Sequence, residues 1–386
     1  MNICVVGSSK RFFSGLTTHT IFLANALAKN GHKVSIVTLR NLVPLFLYPG
    51  RKRVGKGDYM ADYVPEVKIY DGMDWNSPRT WLGALRFINQ QKPDAIIMLW
   101  WTSSVAHLQF ILALGSRLTG HPRLILEMHE VVDALEEKIL PIRLYSRVAG
   151  KILMRQFDDY TVPSESVSEA VINAYNIPKE KIHVVPIGVY EQYTTPERNE
   201  ARKKLGLEGF VILHFGMIRQ YKGIPLLLKA FDTLPEKVAQ CSTLVIAGED
   251  WGDDPEIKVA MEGSKYRHRI IYHPYFISDH EVPKYFAAAD VVVLPYLRSC
   301  GSGVAYIAVA NGKPIIATDL PVMRDCFKEY AGASFFPVGN VSALKEMLIK
   351  VYNRWQKEGP RQYIFEGAGW DDIARQYEEI ISRSKN

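Results

Sequence analysis

The chain has 386 residues, 47% apolar and 23% charged, an ordinary globular balance with enough apolar material for two buried cores. Its net charge of +6 suits anionic ligands such as phosphates. The sequence has no zinc-finger, RNP or basic-helix pattern, so we expect no nucleic acid as a partner. The four cysteines are scattered, which argues against a disulfide framework or a zinc site and favours a reducing compartment.

Short apolar runs alternate with amphipathic stretches through the first half. In Thr17–Asn30, small and apolar residues recur at helical spacing, and Gly31 then ends the predicted helix. The buried strands predicted here are, in chain order, Ile3–Gly7, Lys33–Thr38, Ala95–Leu99, Arg123–Glu127 and His183–Pro186.

The second half repeats this alternation. The predicted strands are Val211–Phe215, Thr243–Ala247, Arg269–Tyr272, Val291–Leu294 and Pro314–Thr318. The helices between them include Pro225–Leu234, Val282–Ala288 and Gly303–Asn311. Such alternation predicts an α/β protein of parallel, doubly wound sheets that are covered by helices on both faces.

A polar stretch, 190–208, interrupts the alternation, and we predict a hinge near Val189–Glu200. One Rossmann-like domain is then expected over 1–190 and a second over 195–365, with the C-terminal helix 366–386 packed back on the first. Ligands of doubly wound sheets bind beyond the carboxyl ends of the strands. We therefore expect the chemistry in a central cleft that the two domains face.

The strand Val211–Phe215 leads into a glycine loop that carries two cations. Gly216 lets the backbone come close to a ligand, Arg219 can form a bidentate hydrogen bond with phosphate oxygens, and Lys222 adds a point charge. The pattern indicates a phosphate site, and the alternative is a solvated basic turn.

A second glycine-rich turn precedes the helix predicted from Gly303. Ser302 is a candidate N-cap, and Gly301 and Gly303 leave the amides of the first turn open to an anion. The alternative is a plain turn between a strand and a capped helix.

Taken together, these segments resemble glycosyltransferase family four, which has the GT-B fold and retains anomeric configuration. The likeness spans nearly the whole chain. The matching stretches are SGLTTHTIFLANALAKNGHKVSIVT, HFGMIRQYKGIPLLLKAF, LVIAGEDW, YFISDHEVPKYFAAADVVVLPY, GSGVAYIAVANGKPIIATDLP and GWDDIARQYEEI.

The resemblance implies roles for the cations of the glycine loop. Lys222 matches the family's phosphate-binding lysine. Met217 stands where most members carry an arginine, and Arg219 is the nearest replacement, as in a subset of the family. The donor-binding residues implied in this way are Gly15, Gly216, Glu249, Ile277, Ser299, Ser302, Gly303 and Val304.

The chain departs from the family at a pair of glutamates, one of which contacts the donor sugar and the other the ribose. Ser299 and Ile307 occupy those positions. Since isoleucine cannot hydrogen-bond a ribose, we expect the amides of the Ser-Gly-Val turn to replace that contact, as in the same subset.

His129 follows the strand Arg123–Glu127 and matches the family's histidine that faces the donor sugar, so we predict catalytic roles for His129, Arg219 and Lys222. His19 and Glu130 are predicted on the acceptor side. Either Glu127 or Glu130 could orient the imidazole of His129 or accept a proton, and the local sequence does not choose between them.

The resemblance implies a UDP- or GDP-linked donor, no other cofactor and no metal in the active site. Breaking the sugar–phosphate bond leaves a diphosphate whose charge the two cations and the Gly303 helix terminus can stabilise. We interpret the acidic cluster Asp250, Asp253 and Asp254 as a solvated turn rather than a metal site.

The segment Leu42–Lys56 combines apolar and basic residues, as does Lys10–Phe13. Such a composition suits contact with an anionic membrane surface and hence a lipid-linked acceptor, and the alternative is a segment folded onto its own domain. The start of the chain does not resemble a signal peptide, and no apolar run reaches the length of a membrane span. We expect a cytoplasmic protein, with peripheral attachment at the inner face of the cell membrane.

Three other classes of protein are alternatives to an active glycosyltransferase. A catalytically silent binding subunit of the same fold is suggested by Ser299 and Ile307. A Rossmann oxidoreductase is disfavoured, because the first turn lacks Gly-x-Gly-x-x-Gly and no acidic residue closes the second strand. A GT-B epimerase or phosphorylase stays open.

Overall fold

A computed structural model describes residues 1–12, 15–42, 54–55, 59–101, 105–130, 149–190, 193 and 196–383. The chain divides into two compact units. Unit 1 comprises Met1–Gly188 and Ala368–Asn386, and unit 2 comprises Val189–Gly367. The chain first passes between the units at the beginning of the stretch Val189–Glu200, where we predict the hinge.

Unit 1 is built on one parallel sheet with the strand order β3-β2-β1-β4-β5-β6-β7. The strands are β1 (Asn2–Ser8), β2 (Lys33–Asn41), β3 (Lys68–Asp74), β4 (Ala95–Trp100), β5 (Arg123–Met128), β6 (Asp159–Val162) and β7 (Ile182–Val184). The helices with defined bounds are α1 (Gly15–Lys29), α2 (Pro78–Gln91), α3 (Ala106–Thr119), α4 (Glu165–Tyr175) and α13 (Trp370–Ser382).

The last helix, α13, belongs to the core of unit 1. Its residues Ile373, Tyr377 and Ile380 are buried in the same apolar cluster as Leu23 and Leu27 of α1. The apolar residues of α13 recur at helical spacing, so one face of the helix is buried. The two ends of the chain therefore form one folded unit.

Unit 2 has a six-stranded parallel sheet in the order β10-β9-β8-β11-β12-β13. The strands are β8 (Phe210–Phe215), β9 (Ser242–Ala247), β10 (Ile270–His273), β11 (Val291–Leu294), β12 (Ile315–Thr318) and β13 (Ala333–Phe336). The helices are α5 (Arg198–Leu205), α6 (Ile224–Asp232), α7 (Glu236–Gln240), α8 (Glu256–Glu262), α9 (Val282–Ala288), α10 (Gly303–Ala310), α11 (Pro321–Cys326) and α12 (Val341–Glu358).

Both sheets change winding direction beside their first strand. In unit 1, β1 lies between β2 and β4, and in unit 2, β8 lies between β9 and β11. The loops that follow the two flanking strands diverge there, and the crevice that results is the usual ligand site of such a sheet. The predicted class of two doubly wound parallel-sheet domains is confirmed. None of the helices in the described residues has both the length and the apolar composition to cross a bilayer.

Candidate functional site

The predicted phosphate-binding loops of unit 2 lie together at the carboxyl edge of its sheet. Gly216 ends β8 with φ 109°, and a Cβ atom there would lie 3.0 Å from Cγ2 of Val304 on α10. A Cβ atom on Gly248, which follows β9, would lie 1.9 Å from the carbonyl oxygen of Gly216. A side chain at Gly248 would collide with backbone, and one at Gly216 would crowd Val304 and strain a positive φ, so glycine allows the three loops to touch.

Lys222 is buried beside the loop that follows β11. It is only 7% exposed, and its Nζ lies 3.7 Å from the centroid of the Tyr296 ring and 5.0 Å from that of Tyr221. The amide of Leu297 donates to the carbonyl oxygen of Tyr221 at 2.8 Å. These contacts join the loop of Lys222 to the loop that leads into α10.

The start of α10 is capped as predicted. Ser302 is the N-cap, and its Oγ accepts a hydrogen bond from the Ala305 amide at 3.3 Å. The hydroxyl of Tyr296 lies 3.2 Å from the same Oγ. The amides of Gly303 and Val304 have no acceptor within their own helix, as in every first turn. They are suited to an anion near Lys222.

Arg219 is held in one orientation by two neighbours. Its Nε donates to Asp253 Oδ2 at 2.5 Å, and its guanidinium carbon lies 4.6 Å from the centroid of the Trp251 ring. The interpretation of this acidic cluster as a solvated turn is wrong for Asp253, whose side chain is only 18% exposed. Sequence analysis missed this contact because the two residues are 34 positions apart.

The remaining predicted donor residues of unit 2 lie in neighbouring loops. Glu249 accepts a hydrogen bond from Nε1 of Trp251 at 3.0 Å, and Ile277 is buried in the loop between β10 and α9. Ser299 bonds within its own loop, donating to the Gly301 carbonyl oxygen at 2.8 Å and accepting from the Gly301 amide at 3.1 Å. Ser299 therefore shapes the turn before Ser302.

In unit 1, three polar side chains meet at the carboxyl end of β5. Glu127 Oε1 lies 2.6 Å from Nε2 of His19 on α1 and 3.3 Å from Nε2 of His129. The two imidazole rings meet edge to face, with centroids 4.6 Å apart. All three side chains are nearly or fully buried, so the carboxylate depends on the imidazoles for stabilisation.

Burial and charge oppose each other in this cluster. Burial by itself would raise the pKa of Glu127, but the charges and hydrogen bonds of His19 and His129 outweigh it and hold that pKa well below its usual value. Burial lowers the pKa of His129, although the carboxylate of Glu127 partly offsets this effect. The cluster therefore favours an ionised carboxylate, whereas burial disfavours the charged form of His129.

Helix α13 covers the other side of the cluster. The Trp370 ring meets His19 edge to face, with centroids 5.0 Å apart. The hydroxyl of Tyr377 lies 3.0 Å from Oγ1 of Thr161 on β6. Burial and the nearby carboxylate of Glu127 raise the pKa of Tyr377 well above its usual value. The packing of the C-terminal helix on the first domain is predicted from the sequence, but these individual contacts are not, because α13 lies more than 200 residues from β5.

Within the described residues, His19, Glu127 and His129 form a group of metal-ligating side chains whose ligand atoms lie within 4.8 Å of one another. Two ligands that each lie about 2.05 Å from a tetrahedral zinc ion would be about 3.3 Å apart. The 2.6 Å between His19 Nε2 and Glu127 Oε1 is shorter than that, whereas the 3.3 Å between His129 Nε2 and Glu127 Oε1 equals it. Among the described residues, neither imidazole nitrogen has a hydrogen-bond partner.

The other predicted residues of unit 1 have simpler surroundings. Glu130 is exposed. Gly15 is exposed at the first position of α1, and a Cβ atom there would meet nothing within 4 Å, so packing does not require glycine. Of the predicted membrane segment, 43–53 and Lys56 lie outside the described residues, as does Phe13.

The described part of the basic–apolar stretch at 10–13 is folded onto unit 1. Phe12 is only 2% exposed, and Lys10 Nζ lies 2.9 Å from Asp62 Oδ1. Phe12 is therefore buried and cannot contact a membrane in this structure, and that part of the membrane prediction is wrong.

Two protein-family models match adjoining parts of the chain. The model "Glycosyltransferase Family 4" matches 13–193, and "Glycosyl transferases group 1" matches 197–369. Among curated proteins, an uncharacterized glycosyltransferase of Methanocaldococcus jannaschii is 26% identical over 55% of this chain and 57% of its own length. Mannosylfructose-phosphate synthase of Agrobacterium fabrum is 24% identical over 67% of this chain and 60% of its own length. The chain thus spans less than two thirds of these relatives.

A likeness to solved structures covers the whole chain. The crystal structure of Anabaena HepE in complex with UDP and glucose aligns with 99% of this chain and 100% of its own, with a TM-score of 0.70 and 15% identity. At that identity the likeness concerns the fold alone. The predicted GT-B fold is confirmed by this likeness together with the two parallel-sheet units.

Proposed function

We propose that this chain, which has the GT-B fold, is a glycosyltransferase of the family-four type and that it moves a sugar from a nucleoside diphosphate to an acceptor hydroxyl with retention of anomeric configuration. The observation that carries the proposal is the meeting of three elements in unit 2. They are the loop after β8 with Gly216, the buried Lys222, and the first turn of α10 beside Val304. Together they offer positive charge and open amides to one diphosphate.

The proposed chemistry follows the charge that develops on the leaving group. As the bond from the anomeric carbon to the phosphate oxygen breaks, negative charge grows on the nucleoside diphosphate. Lys222, Arg219 and the amides of Gly303 and Val304 stabilise that charge, so transfer is expected to proceed without a metal ion. The acceptor oxygen bonds to the anomeric carbon on the face that the diphosphate leaves, and its proton passes to the departing phosphate oxygen.

The donor is proposed to be UDP- or GDP-linked. HepE, which shares the fold, was crystallised with UDP and glucose. The turn that Ser299 closes onto Gly301 presents backbone groups where most family members have a glutamate. We assign contact with the donor sugar or ribose to these backbone groups, as in the family subset with a Ser-Gly-Val turn.

The acceptor is proposed to be lipid-linked or part of a growing glycan. Support for a lipid comes only from the sequence of Leu42–Lys56, whose basic and apolar residues suit a cytoplasmic protein that touches an anionic membrane. Co-sedimentation with phosphatidylglycerol vesicles at low and high salt tests this. Equal binding to phosphatidylcholine vesicles, or no binding, would count against it.

A panel of nucleotide sugars tests the function. It contains UDP-glucose, UDP-galactose, UDP-N-acetylglucosamine, GDP-mannose and GDP-fucose. We expect one donor to raise the melting temperature and to release its nucleoside diphosphate, with or without EDTA. Anomeric proton couplings of the transferred sugar report retention. The alternative, a catalytically silent binding subunit, predicts release from none of them, and the enzymes among the relatives do not favour it.

A further inference from the structure

The outer helices of unit 1 expose four large apolar side chains. Leu82 on α2 is 57% exposed, and Leu114 and Leu118 on α3 are 43% and 77% exposed. Ile152, in the helical residues 149–154, is 47% exposed. A single exposed leucine is ordinary, whereas a group of them on one face of a domain marks a surface that contacts another molecule.

Contacts between the helices join these side chains into one surface, which we call the α2–α3 face. On one side of α3, Leu85 of α2 packs closely, since a Cβ atom on Gly115 would lie 2.5 Å from Leu85 Cδ2. On the other side, Arg117 Nη2 donates to the carbonyl oxygen of Gln156 at 2.8 Å, so the helical residues 149–154 lead into a segment that is bonded to α3.

Helix geometry places the exposed leucines of α3 between these two contacts. Successive residues of an α-helix are about 100° apart around its axis. Gly115 and Arg117 therefore point in directions about 160° apart, and Leu114 and Leu118 both fall within the arc between them. The α2–α3 face is thus continuous from α2 to residues 149–154, with these leucines at its middle.

All charged side chains of α2, α3 and residues 149–156 are cations. Arg79 and Arg86 are exposed on α2, on either side of Leu82 along the helix. Lys151 and Arg155 are exposed in the neighbouring segment. The apolar side chains of the α2–α3 face are therefore surrounded by positive charge.

This uniform sign distinguishes the α2–α3 face from an ordinary solvated surface. On the outer helix α12 of unit 2, the exposed Glu346 precedes the exposed Lys350 by one turn, so charges of both signs alternate there. The carboxylate of Asp158, at the edge of the α2–α3 face, lies 2.7 Å from the guanidinium of Arg117, which offsets its charge. The partner of the face is thus expected to be anionic.

The exposure of the leucines indicates what kind of anionic partner fits. A leucine that is 77% exposed, as Leu118 is, protrudes from the surface instead of lining a groove. Protruding apolar side chains ringed by cations match an anionic bilayer, because the headgroups attract the cations and the boundary with the acyl chains accepts the apolar groups. A peptide partner would need a groove to bury its own side chains.

We propose that the α2–α3 face docks the protein on an anionic phospholipid membrane. The four apolar side chains enter the boundary between headgroups and acyl chains, and the four exposed cations lie at the lipid phosphates. This face is separate in sequence from Leu42–Lys56, and its contact with the membrane depends on neither the donor nor the acceptor of the proposed transfer.

The test is co-sedimentation of the full chain with vesicles of phosphatidylcholine, with and without phosphatidylglycerol. We expect binding only to the anionic vesicles, and weaker binding at high salt. The double variant Leu82→Ser with Leu118→Ser should bind about tenfold or more weakly at any salt concentration. The double variant Arg79→Gln with Arg86→Gln should also bind about tenfold or more weakly at low salt, and the effect of salt should be smaller.

Two exposed residues of unit 2 give matched controls. Val259 on α8 is 72% exposed, and Lys350 on α12 is exposed. Val259→Ser and Lys350→Gln should bind the vesicles as the wild type does. All these side chains lie at the surface, so the variants are expected to fold.

The proposal is overturned if the wild type does not bind anionic vesicles, or if both double variants bind them as the wild type does. It is also overturned if the leucine variant only converts a dimer into a monomer in analytical ultracentrifugation, because the face would then be an interface between copies. Absence of nucleoside diphosphate release from every donor would refute the proposed function and leave the vesicle result standing.

Discussion

Nζ of Lys222 lies 3.7 Å from the centroid of the Tyr296 ring, and the hydroxyl of that ring lies 3.2 Å from Oγ of Ser302. One aromatic side chain thus connects the buried cation to the cap of α10. A desolvated ammonium over an aromatic face gains about 2 kcal/mol. The ring therefore holds Lys222 in place beside the helix that we propose to bind the diphosphate.

Two substitutions of Tyr296 distinguish the contribution of the aromatic ring from that of the hydroxyl group. Tyr296→Phe keeps the aromatic face under Lys222, and we expect it to bind UDP or GDP within about threefold of the wild type. Tyr296→Leu removes the face and should bind about tenfold or more weakly, corresponding to about 1.4 kcal/mol. Isothermal titration calorimetry measures both. Wild-type affinity in a folded Tyr296→Leu would show that the contact does not position Lys222.

Arg219 offers a comparison between two cations. Because its Nε bonds to Asp253 and its face lies on Trp251, its two terminal nitrogens are presented together. A lysine cannot bond to Asp253 and also present two donors, so we expect Arg219→Lys to lose about tenfold in affinity for a nucleoside diphosphate. The control is Arg324→Lys, which changes an exposed arginine that is paired with Asp319. Its affinity should be unchanged, and equal affinities of all three proteins would contradict the assigned role.

His214 makes the stability of unit 2 depend on pH. Burial, with a smaller contribution from the charge of Lys222, lowers the pKa of His214 to about 4, although the carbonyl oxygen of Val293 accepts from its Nδ1 at 3.1 Å. The unfolded chain, with an ordinary pKa of about 6.5, therefore binds the proton first as the pH falls. The stability that the neutral ring maintains at pH 7 should decrease between pH 6.5 and 4, by about 1.4 kcal/mol per pH unit at most.

Urea unfolding of the wild type and of His214→Gln at pH 7 and pH 4.5 measures this effect. The glutamine variant keeps an amide donor for Val293 and has no group that titrates in this range. The loss of stability on acidification should be smaller in the variant. Equal losses in the two proteins would show that His214 is not the source.

Asp290 anchors the first helix of unit 2 to its sheet. Its fully buried carboxylate accepts from Arg198 and Arg202, each at 2.5 Å, and from the Val211 amide at 2.8 Å. Because Asp290→Asn leaves two partly buried arginines without their anion, we expect the free energy of unfolding to fall by about 3 kcal/mol. Glu200→Gln, which removes the exposed pair with Lys204, is the control and should show no measurable change. A similar effect of both variants on the urea midpoint would contradict this account.

Most central strands were predictable from the sequence, whereas the central strand Asp159–Val162 and two of the edge strands were not. Val291–Leu294 has its predicted bounds because four consecutive apolar residues are buried on both faces. Lys68–Asp74 and Ala333–Phe336 lie at sheet edges and are partly exposed, so they have mixed polarity and no apolar run. Hydrophobic patterning therefore identifies strands with a continuous apolar run, including the edge strand Ile270–His273, and misses strands of mixed polarity.

The residues of the candidate sites were likewise predictable only where they belong to a local sequence motif. Gly216 and Lys222 belong to one local motif, and Ser302 is a recognisable cap, so the sequence predicted them. The partners that orient them are distant in the chain. Tyr296 follows a different strand, β11, and its ring lies under Lys222. Trp370, near the C-terminal end of the chain, contacts His19. Local spacing carries no information on such contacts.

The most direct test of the central claim compares Lys222→Met with Lys229→Met. Lys229 is exposed on α6, seven residues further along the chain, and has no part in the proposed site. With the donor selected from the panel, we predict that Lys222→Met lowers the rate of nucleoside diphosphate release about a hundredfold, while Lys229→Met keeps the wild-type rate. A folded Lys222→Met that releases the nucleoside diphosphate as fast as the wild type would contradict the account.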